Sequence, residues 1–117
     1  MSLGGLPAAP AGSGPATAGG VGIRGDGVAS AALKPLPRED RARALAAEYQ
    51  ALEFQPVGEP IEWRGRAGAG AAEALAPFRV GSQNCRQLVH RLTVGSATRV
   101  ERGSACREPD GTWTPLT

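Results

Sequence analysis

Three side chains in the C-terminal half could by type form a nucleophilic centre: Cys85 as the attacking thiol, His90 as the base and Glu101 as the acid that orients it. Their spacing argues against it. Residues 85–94 and 97–107 flank Gly95-Ser96, and glycine followed by serine signals a two-residue hairpin loop with a positive φ at its first position. In that register Val94 faces Ala97, His90 faces Glu101 and Cys85 faces Cys106. Successive strand residues point to opposite faces, so Cys85 and His90 are turned away from one another and the triad cannot assemble. His90 and Glu101 are expected to form only a cross-strand ion pair or hydrogen bond.

The same register predicts a disulfide. Counted from the hairpin loop, Cys85 and Cys106 form a non-hydrogen-bonded pair, in which Cα atoms lie about 4.5 Å apart, at the short end of disulfide geometry. Two buried free thiols are the alternative. A bridge over this span contributes roughly 3 kcal/mol in the chain-entropy model. No CxxC spacing is present, and two cysteines with one histidine do not complete an ordinary zinc site, so no metal is expected. The glycine-rich stretches are not followed by a Lys-Ser or Lys-Thr pair and join no strand to a helix, so no phosphate loop, cofactor or small-molecule substrate is expected.

Arg86, Arg91, Arg99, Arg102 and Arg107 give the hairpin five guanidinium groups. In the register above Arg91 and Arg102 share a face with the cysteines, and Arg86 and Arg99 share the other. Positive charge split across a sheet fits a solvated, aggregation-resistant surface better than a polyanion site. Arg91 and Arg102 remain the candidates for partner binding, and a soluble module that uses this hairpin on an acidic partner or nucleic acid is the second functional reading. One lysine, Lys34, against twelve arginines reads as compositional bias.

The elements that must position these residues are few. The chain has 117 residues, of which 17 are Gly and 10 Pro, with 13 basic and 11 acidic side chains and five aromatics. Such a chain has little with which to build a catalytic pocket, and an enzyme is not expected. Residues 1–37 read as a disordered Ala/Gly/Pro-rich arm, because Ala, Gly, Pro and Ser fill 23 of the first 32 positions. Residues 1–23 carry no charged side chain, yet Pro7, Pro10 and Pro15 interrupt them and no signal peptide or transmembrane span is expected there. Arg24-Gly25-Asp26 matches a receptor-binding tripeptide, a coincidence in a chain this rich in Arg and Gly.

From residue 38 the pattern changes. Ala42, Leu45, Tyr49 and Leu52 fall on one face of a helix over 38–53, with Glu39 and Asp40 in its first turn and Pro37 at its edge. Strands are expected at about 61–64, 74–80, 85–94, 97–107 and 112–116. Residues 65–72 read as a mobile loop and Pro77 marks its strand as an edge strand. Pro109-Asp110-Gly111 supplies the last turn and returns Trp113 to the core near Cys106 and Arg107. The fold class is therefore α+β, a small antiparallel sheet of about four strands preceded by one amphipathic helix, in a domain spanning 38–117.

The runs ALEFQPVGEPIEW (51–63) and NCRQLVHRLTVGSATRVERGSACREPDGTWTPL (84–116) resemble the C-terminal domain of the 17 kDa surface antigen family, small bacterial outer-membrane lipoproteins. Cys85-Arg86-Gln87, the Gly95-Ser96 turn and the stretch Gly103 to Trp113 carry the resemblance. It implies a cell-envelope protein of the outer membrane or periplasm, with an envelope or host-surface partner and no catalytic residue or cofactor. Members carry a signal peptide, a lipid-bearing cysteine and an apolar glycine zipper at the front, and none of the three is read in this sequence.

Overall fold

The computed structural model describes residues 22–116. Its elements are α1 (Ser30–Leu33), α2 (Arg38–Phe54), β1 (Ile61–Arg64), β2 (Gly68–Val80), β3 (Gln83–Val94), β4 (Ala97–Arg107) and β5 (Trp113–Pro115). The strands form one antiparallel sheet in sequence order, β1-β2-β3-β4-β5, so every connection joins neighbours. The α+β class holds, with five strands where about four were expected. The two-residue loop sets the central register: Val94 pairs with Ala97 and Cys85 with Cys106, and Gly95 has the positive φ, 62°, that its position in the turn requires.

Helix α2 lies across one face of the sheet, here the inner face, and no element among the described residues covers the outer face. The helix uses only part of the stripe expected of it, Leu52 being its one fully buried member. Ala44, Ala47, Ala51 and Leu52 are buried together with Asp40 and Glu48, whereas Leu45 and Tyr49 are only partly buried at its flank. Alanines let the helix axis approach the sheet closely. The bulkier flank receives residues 22–29 instead, with Gly22 against the Tyr49 ring and Gly27 against Leu45.

The expected disordered arm is corrected in part. Residues 1–21 lie outside the described residues, but residues 22–37 are packed: Ile23, Ala29, Ala32, Leu33 and Leu36 are all buried in the core. The Ala/Gly/Pro composition hid five well-spaced apolar anchors. Backbone bonds Arg24 N to Trp113 O and Trp113 N to Gly22 O then fasten the segment beside β5.

The loop expected over 65–72 is also shorter than the sequence implied. β2 begins at Gly68, and Ala69 to Ala72 pair with both β1 and β3. A Cβ at Gly70 would meet the Arg91 carbonyl and Trp63 Nε1, so the glycine is there for close approach rather than mobility. Pro77 stands at a register shift between Ala74 and Pro77, on the half of β2 that extends past β1. Thus β2 is second in the sheet, and only its C-terminal half is an edge.

Asp40 shows how the helix and sheet are locked. Its Oδ1 accepts the Arg66 amide at 2.9 Å and its Oδ2 accepts those of Ala67 and Gly68 at 2.8 and 3.1 Å. The Ala67 amide, joined by those of Arg66 and Gly68, holds the carboxyl below its usual value of 3.8 against the opposing effect of desolvation. The unfolded chain therefore takes up this proton first as pH falls. Stability from Asp40 is complete above the unfolded value and is lost as pH drops through the lower folded value. Urea midpoints measured from about pH 6 down to pH 2 should fall over this range. Asp40→Asn should start lower at neutral pH and show a shallower acid dependence; an unchanged slope would remove Asp40 from the account.

Candidate functional site

On the inner face, β3 presents Arg86, Leu88, His90 and Leu92, all buried. His90 and Glu48 have fully buried side chains, with Nδ1 and Oε2 separated by 2.7 Å. The Trp63 indole donates from Nε1 to His90 Nε2 at 2.8 Å. An indole N–H can only donate, so Nε2 accepts and the ring proton sits on Nδ1, donated to Glu48. Glu48 also accepts the amides of Val28 through Oε1 (2.7 Å) and Ala29 through Oε2 (3.1 Å). The array Glu48-His90-Trp63 has the acid and base of a hydrolytic triad, but its third member is a donor, and no atom of the pair reaches solvent. Its role is to tie α2, β1, β3 and residues 28–29 together.

This corrects the expected pair of His90 with Glu101. The two face each other in register, yet His90 is drawn under the helix to Glu48, and Glu101 bonds Arg99 at 3.0 Å near the rim. Cys85, on the outer face, is separated from His90 by the sheet itself.

Arg86 is the second buried polar centre. Nη1 donates to the carbonyls of Ala51, Leu52 and Gln55 at 3.2, 2.9 and 2.8 Å, and Nε donates to Leu75 O at 2.9 Å. The side chain therefore caps the C-terminal end of α2, where orphan carbonyls and the negative end of the helix dipole favour a cation. Burial pulls its pKa down from the ordinary arginine value, but a guanidinium remains charged.

The outer face is the exposed surface. A disulfide joins Cys85 to Cys106, with Cα atoms 4.0 Å apart. Phe78 of β2 lies beside it opposite Cys85, and Thr114 of β5 lies opposite Cys106. Farther along, Val89 faces Glu73 and Arg102, and Arg91 faces Ala71 and Val100. Phe78, Val80 and Val100 are exposed. Arg91 bonds Glu73 at 3.2 Å, while Arg102 has no ion-pair partner among the described residues. Arg91 and Arg102 thus stand diagonally on neighbouring rungs of a surface that mixes apolar and basic side chains.

The remaining expected residues do not gather there. Gly95 and Ser96 form the exposed tip of the hairpin, and Pro109, Asp110 and Gly111 form a turn at its opposite end. Trp113 is 3% exposed on the inner face, so it does not cover the disulfide. Its Nε1 donates to Glu53 Oε1 at 2.9 Å, and Arg107 donates to the same oxygen at 3.0 Å. The hydrogen bond to Glu53 raises the Arg107 pKa. In the turn, Asp110 accepts the Thr112 hydroxyl and amide, which, with Arg24 nearby, lower its pKa. Arg24 bonds Asp110 and Thr112, so this member of the tripeptide is engaged within the fold.

Of the five hairpin arginines, Arg86 is spent on carbonyls and Arg91, Arg99 and Arg107 on carboxylates. That leaves little free charge for a polyanion. Among the described residues no three His, Cys, Asp or Glu side chains cluster to hold a metal ion. A hollow of about 210 Å³ lined by Asp26, Ser30, Leu33, Lys34, Arg41 and Leu45 is smaller than the clefts that usually enclose ligands. No helix among them is long and apolar enough to cross a membrane.

The sequence reading missed Asp40, Glu48 and Arg86 as buried anchors. A signal existed for the acids: positions 40, 44, 47, 48 and 51 lie on one helical face, composed of two carboxylates and three alanines. Arg86 had none, because its helical partners are backbone carbonyls.

No protein-family model matches the chain, and no solved structure does. Curated proteins do match. The chain is 30% identical over 82 residues to the 17 kDa surface antigen of Rickettsia bellii, covering 67% of this chain and 51% of the relative. It is 31% identical over 81 residues to that of Rickettsia conorii, with the same coverage, and 32% identical over 78 residues to that of Rickettsia prowazekii, covering 64% and 49%. The chain thus spans about half the length of the curated relatives it matches. Over about two thirds of its own length, it is a homologue of the 17 kDa surface antigens.

Proposed function

We propose that this chain is a non-enzymatic protein of the bacterial cell envelope, of the surface-antigen type, whose helix-backed sheet offers its bare outer face to an envelope or host-surface partner. The observation that carries this reading is the Cys85–Cys106 bridge on that face. Disulfides persist in oxidising compartments and are rare in reducing ones. The names of the homologues support the same location. The buried acid, imidazole and guanidinium groups support the absence of catalysis, since each is consumed in bonds that hold the fold together. Phe78, Val100, Arg91 and Arg102 are the side chains offered for contact, a mixture of apolar and arginine groups typical of interface cores.

Thiol counting by mass on protein from fractionated native cells tests this. Two alkyl groups should be added only after reduction, and only to protein from the envelope fraction. Two free thiols on protein confined to the cytosol would overturn the envelope role.

A further inference from the structure

We propose that a second copy of this chain pairs with the open edge of β4, extending the five-stranded sheet into a two-fold symmetric, continuous one. β5 pairs with β4 only at residues 105–107, and the Leu116 amide reaches Ser104 O. Residues 97–103 have no strand on that side among the described residues. In the register of the β3–β4 hairpin, Ala97, Arg99, Glu101 and Gly103 turn their N–H and C=O groups toward β3, and Thr98, Val100 and Arg102 turn theirs outward. The Ser104 carbonyl, which has the outward parity, is bonded to Leu116 on that side. Thr98, Val100 and Arg102 therefore offer an unpaired row, the template on which strands add.

The side chains select what can be added. The midpoint of 97–103 is Val100. A two-fold axis through Val100, perpendicular to the sheet, makes β4 antiparallel to its own copy with Val100 opposite Val100, Arg99 opposite Glu101 and Thr98 opposite Arg102. Val100 would exchange two backbone hydrogen bonds with its counterpart, and each Thr98–Arg102 pair would exchange two more. Arg99 and Glu101, already bonded at 3.0 Å within one copy, would form a ring of four alternating charges with the other copy's pair. Moving the axis to Arg99, Glu101 or Arg102 sets like charges opposite one another, which is unfavourable. Charged residues that would blunt this edge toward other strands thus favour one register with itself. Ala97 of the second copy lies opposite Gly103, one rung short of Ser104, to which Leu116 is bonded, so the paired length is residues 97–103 of each β4. The exposed Val100 pair joins the two outer faces.

Sedimentation equilibrium of the full chain across its soluble concentration range is the test, with Val100→Pro, Arg99→Glu and the swap Arg99→Glu with Glu101→Arg. The wild type should reach twice the chain mass. Val100→Pro removes an outward donor without touching the β3 ladder and should weaken association about 30-fold or more. Arg99→Glu should weaken it about tenfold, and the swap should restore it. Should Val100→Pro fail to fold, by circular dichroism, the charge pair decides alone. A wild-type monomer at every concentration, or a dimer indifferent to these changes, overturns the proposal; either outcome leaves the envelope assignment standing, because that rests on the disulfide and its compartment.

Discussion

Replacing Glu48 with alanine should destabilise the domain by about 3–5 kcal/mol, the summed cost of leaving several donors that bond one carboxylate without an acceptor. The carboxylate satisfies the amides of Val28 and Ala29 and the His90 ring, and the side chains of Glu48 and His90 are wholly buried. Alanine leaves three donors without acceptors and opens a cavity between α2 and the sheet. Glu48→Gln should cost less, about 2 kcal/mol, because one amide oxygen can still accept while its NH2 group meets a donor where an acceptor stood. A small domain is stable by only about 5–15 kcal/mol, so this loss is a large fraction of the total. Urea denaturation measures both, and the midpoint should shift with little change in slope. If Glu48→Ala shifts it by less than the glutamine change is expected to, the array is not the clamp described. Trp63→Phe supplies an independent check, since it orphans only His90 Nε2 and should cost about 1–2 kcal/mol.

For Arg86→Ala the expected loss is about 3 kcal/mol, and it should be felt first at the end of α2. Four carbonyl oxygens lose a charged donor, and three of them, on Ala51, Leu52 and Gln55, belong to the last turn and C-cap of the helix. Hydrogen bonds to charged groups are worth more than neutral ones, and an end without a cap frays. The distinctive readout is amide exchange: protection near Glu53, Phe54 and Gln55 should fall before protection in β3 and β4 does. Arg86→Lys keeps the charge but not the planar fork and should recover part of the stability. Uniform loss of protection across the domain would make Arg86 a packing residue and not a cap.

Both centres join segments that the chain keeps far apart, which separates what could be read in advance from what could not. The β3–β4 pairing, the meeting of Cys85 with Cys106 and the turn at Pro109-Asp110-Gly111 were legible in the sequence, because a two-residue loop fixes a register locally and every later pair follows from it. The helix was legible as well, from its acidic first turn and Pro37 at its edge.

Its buried face was not legible. Periodicity rewards large apolar side chains, so Leu45 and Tyr49 attracted the assignment, while the alanines and two acids that meet the sheet carry no large apolar group to mark a buried face. The packing of residues 22–37 escaped for a similar reason: Ile23, Leu33 and Leu36 are too sparse to mark an element, and only the buried residues of α2 and the sheet make them part of a core. His90 is the clearest case. Strand register alone set it opposite Glu101, but a helix laid across that face brought a carboxylate 42 residues away in the chain to 2.7 Å. Local geometry by itself determined which positions of β3 and β4 pair; only the tertiary structure decided which buried polar groups meet, because desolvated groups bond whatever the fold places beside them.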